Sequence, residues 1–370
     1  MEIFKPLGFD KPIAGITVVL LVVGFVMVFS SSAVLAGEKY NQSLYFLIHQ
    51  LIGAAAGIVL IVIILSIRRP FFQDPYLTYG LLLVSLALLA ACFVMPTVAR
   101  TNRWVVVAGL RFQPSELAKI SLVLFLACHL DRKKDRLGDW RNLILPVSIV
   151  GFFILLILKE PDYGTAILIF AVCGLMLYLG GVRFRHLAIL ACGAGVLFIA
   201  TLFSASYRLE RVTGFMSPEK DPLGKSFQPI QSKLAVGSGG LLGVSLGEST
   251  QKLYFLPNAH TDFIYAILGE EFGLIGTLTI LVLYSLFLWR GFAVSARAPS
   301  PAGQLAGTGL TLMIGAQALL NIAIVLGLGP AKGIPLPLIS FGRSSLICTL
   351  AAIGIILNIS QRKGAWQKRP

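Results

Sequence analysis

Acidic residues are scarce in this chain: 17 of its 370 residues are Asp or Glu, against 31 Lys or Arg, and charged residues of both signs make up 13%. So thin a charge cannot coat a water-exposed globule of this length, which excludes an ordinary soluble protein. Cysteine is sparse too. Cys92, Cys128, Cys173, Cys192 and Cys348 fall singly inside or at the edges of apolar runs, with no C-x-x-C step and no metal-ligand spacing, so they read as packing residues. There is no glycine-rich P-loop, and a nucleotide site is therefore not expected. His260 and Asp262 alone are too few ligands for zinc. No acid occurs after Glu271.

What the chain has is apolar sequence. Hydrophobic residues make up 56%, and the mean hydropathy is +0.83. Crossing about 30 Å of hydrocarbon takes roughly 20 helical residues. Runs of that order recur near 12–35, 44–67, 75–95, 115–130, 143–159, 164–182, 187–204, 262–289, 303–328 and 345–360. They predict an all-α, polytopic integral membrane protein of about ten transmembrane helices, a single membrane domain over residues 1–370. The first run lacks a small-residue cleavage site and is read as a retained helix.

The connections divide by charge. Lys5, Lys11, Arg68, Arg69, the run Arg132 to Arg141, Arg183, Arg185, Arg290, Arg297 and the basic tail from Arg362 fall on one side, and the positive-inside rule makes that side the cytoplasm. Both termini are then cytoplasmic in a multi-pass protein of the cell membrane. The net charge of +14 follows from this topology and from attraction to anionic membrane lipids. No nucleic acid is needed to explain it. Gly53 and Gly57 form a GxxxG step, a sign of close helix contact.

One connection differs from the rest. Residues 205–261, between the seventh and eighth spans, are long, rich in Gly, Ser, Pro and cations, and fall on the outer side. Long loops of this kind tend to be functional. Within it, Gly237-Ser-Gly-Gly240 needs permissive backbone, either for a tight turn or for close approach to a ligand.

Ionisable residues inside spans cost at least about 2.5–3.5 kcal/mol each and so point to sites. Glu116 and Lys119 lie three residues apart in the fourth span, either a buried ion pair or one wall of an outward cavity. Arg103 and Arg111 precede them and could hold a phosphate. Lys159 to Thr165, containing Asp162, is too polar for a passive hairpin. Asp262 follows His260 and Thr261 where the long loop enters the eighth span, as a first-turn capping charge or as a site residue. Glu270 and Glu271, deeper in that span, must be paired or face a polar cavity. The outer side is otherwise cationic, which suggests an anionic ligand.

Six motifs in order, Phe112-Gln-Pro-Ser-Glu-Leu-Ala-Lys119, Pro161-Asp-Tyr-Gly-Thr165, Gln231-Ser-Lys-Leu-Ala-Val-Gly-Ser-Gly-Gly240, His260-Thr-Asp-Phe-Ile264, Glu270-Glu271 and Gly333-Ile-Pro-Leu-Pro-Leu-Ile-Ser340, resemble the SEDS family of bacterial cell-wall proteins over almost the whole chain. Gly247-Glu-Ser-Thr-Gln-Lys252, Leu256-Pro257 and Ala331-Lys-Gly333 look more like the division branch, FtsW, than the elongation branch, RodA. Three positions depart from the family pattern: Glu160 for a usual Gln, Asn258 for a usual Glu, and Arg343 for the second Gly of a turn.

The resemblance implies a ten-helix peptidoglycan glycosyltransferase. Such a protein polymerises lipid II with a class B penicillin-binding protein and other divisome or elongasome membrane proteins, here in septal synthesis. A base must take the acceptor hydroxyl proton while cations offset charge on the departing undecaprenyl diphosphate, with inversion at the anomeric carbon. Asp262 is the implied base. Arg103, Glu116, Lys119, Asp162, Arg208, Arg211, Gln231, Ser232, His260, Thr261, Lys332 and Ser340 are the implied substrate-binding set. No cofactor is required, and a divalent cation, Mg or Mn, would travel with the diphosphate. An elongation-type polymerase, a lipid II flippase and a non-catalytic scaffold are the alternatives.

Overall fold

A computed structural model describes residues 8–68, 70–95, 102–107, 110–203, 213–216, 224, 226–253, 255–330 and 333–361. Among these, ten helices form the membrane bundle: α1 (Lys11–Tyr40), α2 (Tyr45–Ser66), α3 (Pro75–Cys92), α4 (Pro114–Arg132), α5 (Trp140–Lys159), α6 (Tyr163–Leu179), α7 (Phe184–Phe203), α9 (Ile264–Ala296), α10 (Pro301–Val325) and α11 (Arg343–Gln361). A shorter helix, α8 (Phe227–Ser238), lies in the long connection. Seven of the ten are long and apolar enough to cross a membrane by composition alone. Two more, α6 and α7, are apolar but shorter in their qualifying stretches. The tenth is α4, whose acids and bases lower its hydropathy.

The expected spans coincide with these helices, and the differences lie at their ends. α1 runs on to Tyr40 and α9 to Ala296, beyond the hydrocarbon limits that hydropathy marks. Helix starts follow the capping signals. Asp10, Asp74, Asp139, Asp162 and Ser300 each accept a backbone N–H of the first turn, and Pro follows directly at α3 and α10. One feature was not expected from the all-α reading: a small antiparallel hairpin of β1 (Val105–Val107) and β2 (Leu110–Phe112), pairing Val106 with Arg111. The three consecutive valines that build β1 are β-branched and lie between charged and glycine-containing segments, where no helix competes.

The bundle is sorted by polarity. α4, α10 and α11 are buried along most of their lengths, whereas Val59, Val62 and Ile63 of α2 and Leu83 and Val84 of α3 are exposed on faces that suit lipid. Polar side chains are thus carried by the central helices, where neighbours satisfy them. Gly53 and Gly57 make the expected close contact: α2 packs there on Arg343 and Leu350 of α11. The start of α1 and the end of α11 meet at one end of the bundle, where the Asp10 amide donates to Ser360 Oγ at 3.0 Å and the Asp10 carboxylate takes a bidentate bond from Arg290.

α9 is broken. Gly273 has φ 62° and ψ −158° in the middle of the helix, and the segment 239–245 supplies the missing partners. Val244 and Ser245 donate to the carbonyls of Glu270 and Glu271, while Leu274 and Ile275 donate to Gly240 and Leu241. Irregular backbone at this depth is tolerated because protein, not lipid, satisfies it. A Cβ on Gly239 would lie 2.0 Å from the Gly269 carbonyl oxygen. Gly239 therefore makes a close approach to the chain's own helix, and Gly240, at φ 54°, makes the tight turn beside it.

Candidate functional site

The break in α9 holds both deep acids. Glu270 accepts from Ser249, from the Thr250 amide at 3.0 Å and hydroxyl at 3.1 Å, and from the Gln251 amide at 3.4 Å. Glu271 accepts from Ser30 of α1 at 2.6 Å and from Lys252 at 2.8 Å. Lys252 also donates to the Gly247 carbonyl at 2.6 Å. The Gly247–Lys252 segment thus satisfies two buried carboxylates, Glu270 with neutral donors and Glu271 with the Lys252 ammonium, and pins the long connection to α1 and α9. Both acids are satisfied by protein partners, as their depth requires.

Asp262 lies eight residues before Glu270, partly exposed, in the turn before α9. The N-cap of α9 is Phe263, which makes no side-chain cap bond, so Asp262 is not the first-turn capping charge that its position suggested. Its carboxylate approaches the Gly333 backbone, with Oδ2 3.1 Å from where a Cβ would stand. Asn321 of α10 donates to the Asp262 carbonyl at 2.8 Å and to the Ile334 carbonyl at 2.7 Å. The Gly333–Ser340 loop beside it is fastened from several sides. Gln317 donates to Pro335 O at 2.9 Å, Tyr284 to Pro337 O, Gln50 to Ser340 O at 3.0 Å, and Ser340 Oγ to Thr261 O. Leu338, at φ 68°, is held in the left-handed region inside this loop. That backbone strain persists only because the surrounding bonds over-determine it.

Gln317 joins this loop to the fourth span. Lys119 donates to Gln317 Oε1 at 2.5 Å and to Glu116 at 3.0 Å, and both ionised residues are buried. Of the two readings of this pair, the geometry favours a buried ion pair, with the ammonium turned into the bundle. Glu116 stands in the first turn of α4, where the helix dipole favours an acid.

The α5–α6 turn adds a second polar centre. Asp162 caps α6, accepting from the Thr165 amide at 3.2 Å and hydroxyl at 2.9 Å, and takes a third bond from Gln113 at 3.2 Å. The Gln113 amide donates to Ser344 Oγ of α11 at 3.2 Å, which links this turn to the loop near Asp262. Arg103 donates to the Glu160 carbonyl at 2.9 Å and to Pro161 O. The Glu160 carboxyl is wholly buried, and neither oxygen is hydrogen-bonded among the described residues. Burial and the nearby Asp162 charge raise its pKa to about 8, against the opposing pull of Arg103.

His260 packs between Phe46 and Phe341, with ring centroids 4.6 and 5.9 Å away. Burial and the Lys39 charge lower its pKa to about 4, so the ring is neutral at neutral pH. Ser232 of α8 donates to Val325 O at the end of α10 at 2.7 Å, and Gln231 is its partly exposed neighbour. Arg208, Arg211 and Lys332 lie outside the described residues. The structure therefore gathers Asp262, Thr261, Ser340, Lys119 and Glu116 about one polar core, joins Asp162 and Arg103 at the adjoining turn, and sets Ser232 beside α10.

The residues that sequence reasoning missed are neutral: Gln50, Gln113, Tyr284, Gln317, Asn321 and Ser344. The signal that could have found Gln50, Gln317 and Asn321 is an amide inside an apolar span, which needs a partner as a charge does. The three departures from the family pattern also find a physical setting. Asn258 sits at φ 60°, a conformation that Asn tolerates well, and Arg343 begins α11 with no positive φ demanded of it. Glu160 occupies the buried turn just described. Among the described residues no group of three or more His, Cys, Asp or Glu could hold a metal ion.

The fold and the site together define a class: a membrane protein with ten bundle helices among the described residues, whose central helices enclose a polar core at one end with the partly exposed Asp262 carboxylate beside it. The chain belongs to the cell cycle protein family of FtsW, RodA and SpoVE, whose model matches residues 12–364. It is 38% identical to stage V sporulation protein E of Bacillus subtilis, covering 94% of this chain and 95% of that protein. It is also 38% identical to the "Probable peptidoglycan glycosyltransferase FtsW" of Geobacter sulfurreducens, covering 96% of each. A chain from a solved peptidoglycan synthase complex, studied for its structural coordination of polymerization and crosslinking, superposes with a TM-score of 0.79 at 30% identity, over 96% of this chain and 98% of that one.

Proposed function

We propose that this protein is a peptidoglycan glycosyltransferase of the FtsW type, joining lipid II disaccharides into glycan strands at the outer face of the cytoplasmic membrane in septal wall synthesis. Family membership and the names of its relatives support the class of enzyme. The observation that carries the mechanism is the placing of Asp262: a carboxylate at the entrance of a polar core, its backbone clamped by Asn321.

In this reading Asp262 takes the proton of the acceptor 4-hydroxyl as that oxygen attacks the anomeric carbon of the donor. The bond to the diphosphate breaks, the anomeric centre inverts, and undecaprenyl diphosphate leaves without needing a protonating acid. Arg103, with Arg208, Arg211 and Lys332, offsets the growing charge on the leaving group. Lys119 acts at one remove. Its ammonium is enclosed by Glu116 and Gln317, and it orients Gln317 on the Pro335 carbonyl. The end of the bundle where Asp10 meets Ser360 faces the cytoplasm. A class B penicillin-binding protein is the partner that cross-links the strands.

The test is glycan polymerisation from purified lipid II by the protein with its penicillin-binding partner. Wild type is expected to make polymer and a well-folded Asp262→Asn variant to make almost none. Full polymer yield from that variant would sink the base assignment. Movement of lipid II between leaflets of a proteoliposome without polymerisation would point to the transporter reading instead.

A further inference from the structure

At the opposite end of the bundle from Asp262, a cavity of about 310 Å³ opens between α3, α4 and α5, lined by Thr78, Tyr79, Phe125, Cys128, His129, Arg132, Lys133 and Leu145. The polymerase chemistry has no use for it. Its lining is graded. Phe125 lies seven residues inside Arg132 on α4, about 10 Å deeper along the axis. The rings of Tyr79, Phe125 and His129 follow one another along that wall, the first pair edge to face and the second tilted, with centroids 5.5 and 5.7 Å apart. His129 is itself nine-tenths buried, with Nε2 3.3 Å from the Asn142 carbonyl.

The mouth is cationic and unspent. Neither the Arg132 guanidinium nor the Lys133 ammonium makes an ion pair or hydrogen bond among the described residues, whereas three other cations of the chain, Lys119, Lys252 and Arg290, are ion-paired. The carboxylates whose charge reaches the cavity are Asp74 and Asp131. Asp74 is occupied as the N-cap of α3, accepting from the Tyr76 amide at 2.9 Å. Arg132 also complements the negative end of α4, but that role needs no cavity beside it.

The open side decides the chemistry of the occupant. Tyr79 and Leu145 line the cavity and are 38% and 47% exposed, so its wall between α3 and α5 reaches the side of the bundle that suits lipid. A free phosphate would use only the cationic mouth. A lipid can place its phosphate on Arg132 and Lys133 and lead a chain out past Tyr79 and Leu145.

We propose that this cavity is a binding site for the phosphate headgroup of an anionic phospholipid, seated on Arg132 and Lys133 with one acyl chain leaving between α3 and α5. The site needs no substrate of the polymerase and stands independently of that reading.

Native mass spectrometry of the full chain in mild detergent, loaded with either dioleoylphosphatidylglycerol or dioleoylphosphatidylcholine, tests it. Wild type is expected to retain phosphatidylglycerol about tenfold better than phosphatidylcholine, and the Arg132→Gln, Lys133→Gln double variant to lose that preference. A Lys134→Gln, Arg136→Gln double variant removes the same charge outside the cavity and is expected to keep the preference within about twofold. Leu145→Trp, which fills the lateral opening without touching charge, is expected to lower retention as much as the Arg132 and Lys133 pair. Equal losses from the two double variants would overturn the proposal in favour of diffuse surface attraction. Displacement of the lipid by inorganic phosphate would overturn it in favour of a simple anion site, as would unaltered retention in Leu145→Trp.

Discussion

Asn321 of α10 holds Asp262 by its backbone, donating to that carbonyl at 2.8 Å and, through the same amide group, to the Ile334 carbonyl at 2.7 Å. One side chain thereby fixes both strands of the entrance, the turn that carries the carboxylate and the loop that carries Gly333. Replacing it by Leu keeps the volume and leaves two carbonyls unpaired, a cost of about 1–3 kcal/mol each when buried. The expected result in a polymerisation assay is a fall in kcat of about ten- to a hundredfold with KM little changed, since the base is displaced by a fraction of an ångström. Combined with Asp262→Asn, the Leu variant should do no further harm, because both changes act on the same group. Additive losses in the double variant would show that Asn321 acts on something other than Asp262.

The ion pair of the fourth span makes a second expectation. Removing one partner of a buried pair leaves an uncompensated charge, costing about 3–5 kcal/mol, whereas removing both is often close to neutral. Lys119→Met is therefore expected to lower the thermal unfolding midpoint sharply, and the Glu116→Gln, Lys119→Met pair to recover most of it. Polymerisation by the recovered pair should stay below wild type, because Gln317 loses the donor that orients it on Pro335 O. Wild-type turnover in that pair would confine Lys119 to a purely structural role.

These cases show where sequence reading reaches and where it stops. Hydropathy located all ten membrane helices because lipid imposes one length and one polarity on each of them. Charges betrayed Glu116, Lys119, Glu270 and Glu271 for the same reason: in an apolar span an ion stands out. The amides of Gln50, Gln317 and Asn321 are no less costly to bury unpaired, but they carry no charge, and their partners are carbonyls more than a dozen residues away. The pairing of Lys252 with Glu271 depends on a helix broken at Gly273 and filled by residues 239–245, an arrangement that no local pattern encodes. Asp262 stood out by resemblance, whereas its clamp emerged only from three-dimensional packing.

That broken helix leads to a third expectation. Lys252 joins the long connection to Glu271, and Ser30 of α1 shares the same carboxylate. Lys252→Met should free the 239–253 segment from the break in α9 and expose it to protease, while Glu271→Gln with Lys252→Met should restore protection. Limited proteolysis followed by mass mapping reads this directly. Cleavage unchanged in Lys252→Met would mean that the backbone bonds from Val244, Ser245, Leu274 and Ile275 suffice to hold the segment.

Glu160 gives the protein a pH signature. Its carboxyl titrates near 8 in the folded protein, above its ordinary value of 4.5, so the folded state binds the extra proton over that window. Stability from this group is complete below pH 4.5 and is lost as pH rises through about 8. His260 works in the opposite sense. Its pKa is lowered from 6.5 to about 4, so its contribution is complete above pH 6.5 and is lost on acidification through about 4. Between pH 4.5 and 6.5 the two slopes oppose one another, and above 6.5 the Glu160 term acts alone. The unfolding midpoint of the wild type should therefore fall between pH 6.5 and 8.5, by an amount on the order of a few kcal/mol of stability. Glu160→Gln, which cannot ionise, should flatten that fall and be the more stable protein at pH 8.5, with little difference at pH 5. Thermal unfolding of the two proteins in parallel across pH 5 to about 9 checks the sign. Parallel curves would mean that the Glu160 carboxyl is already ionised at pH 5, with Arg103 and solvent screening it more completely than its burial implies.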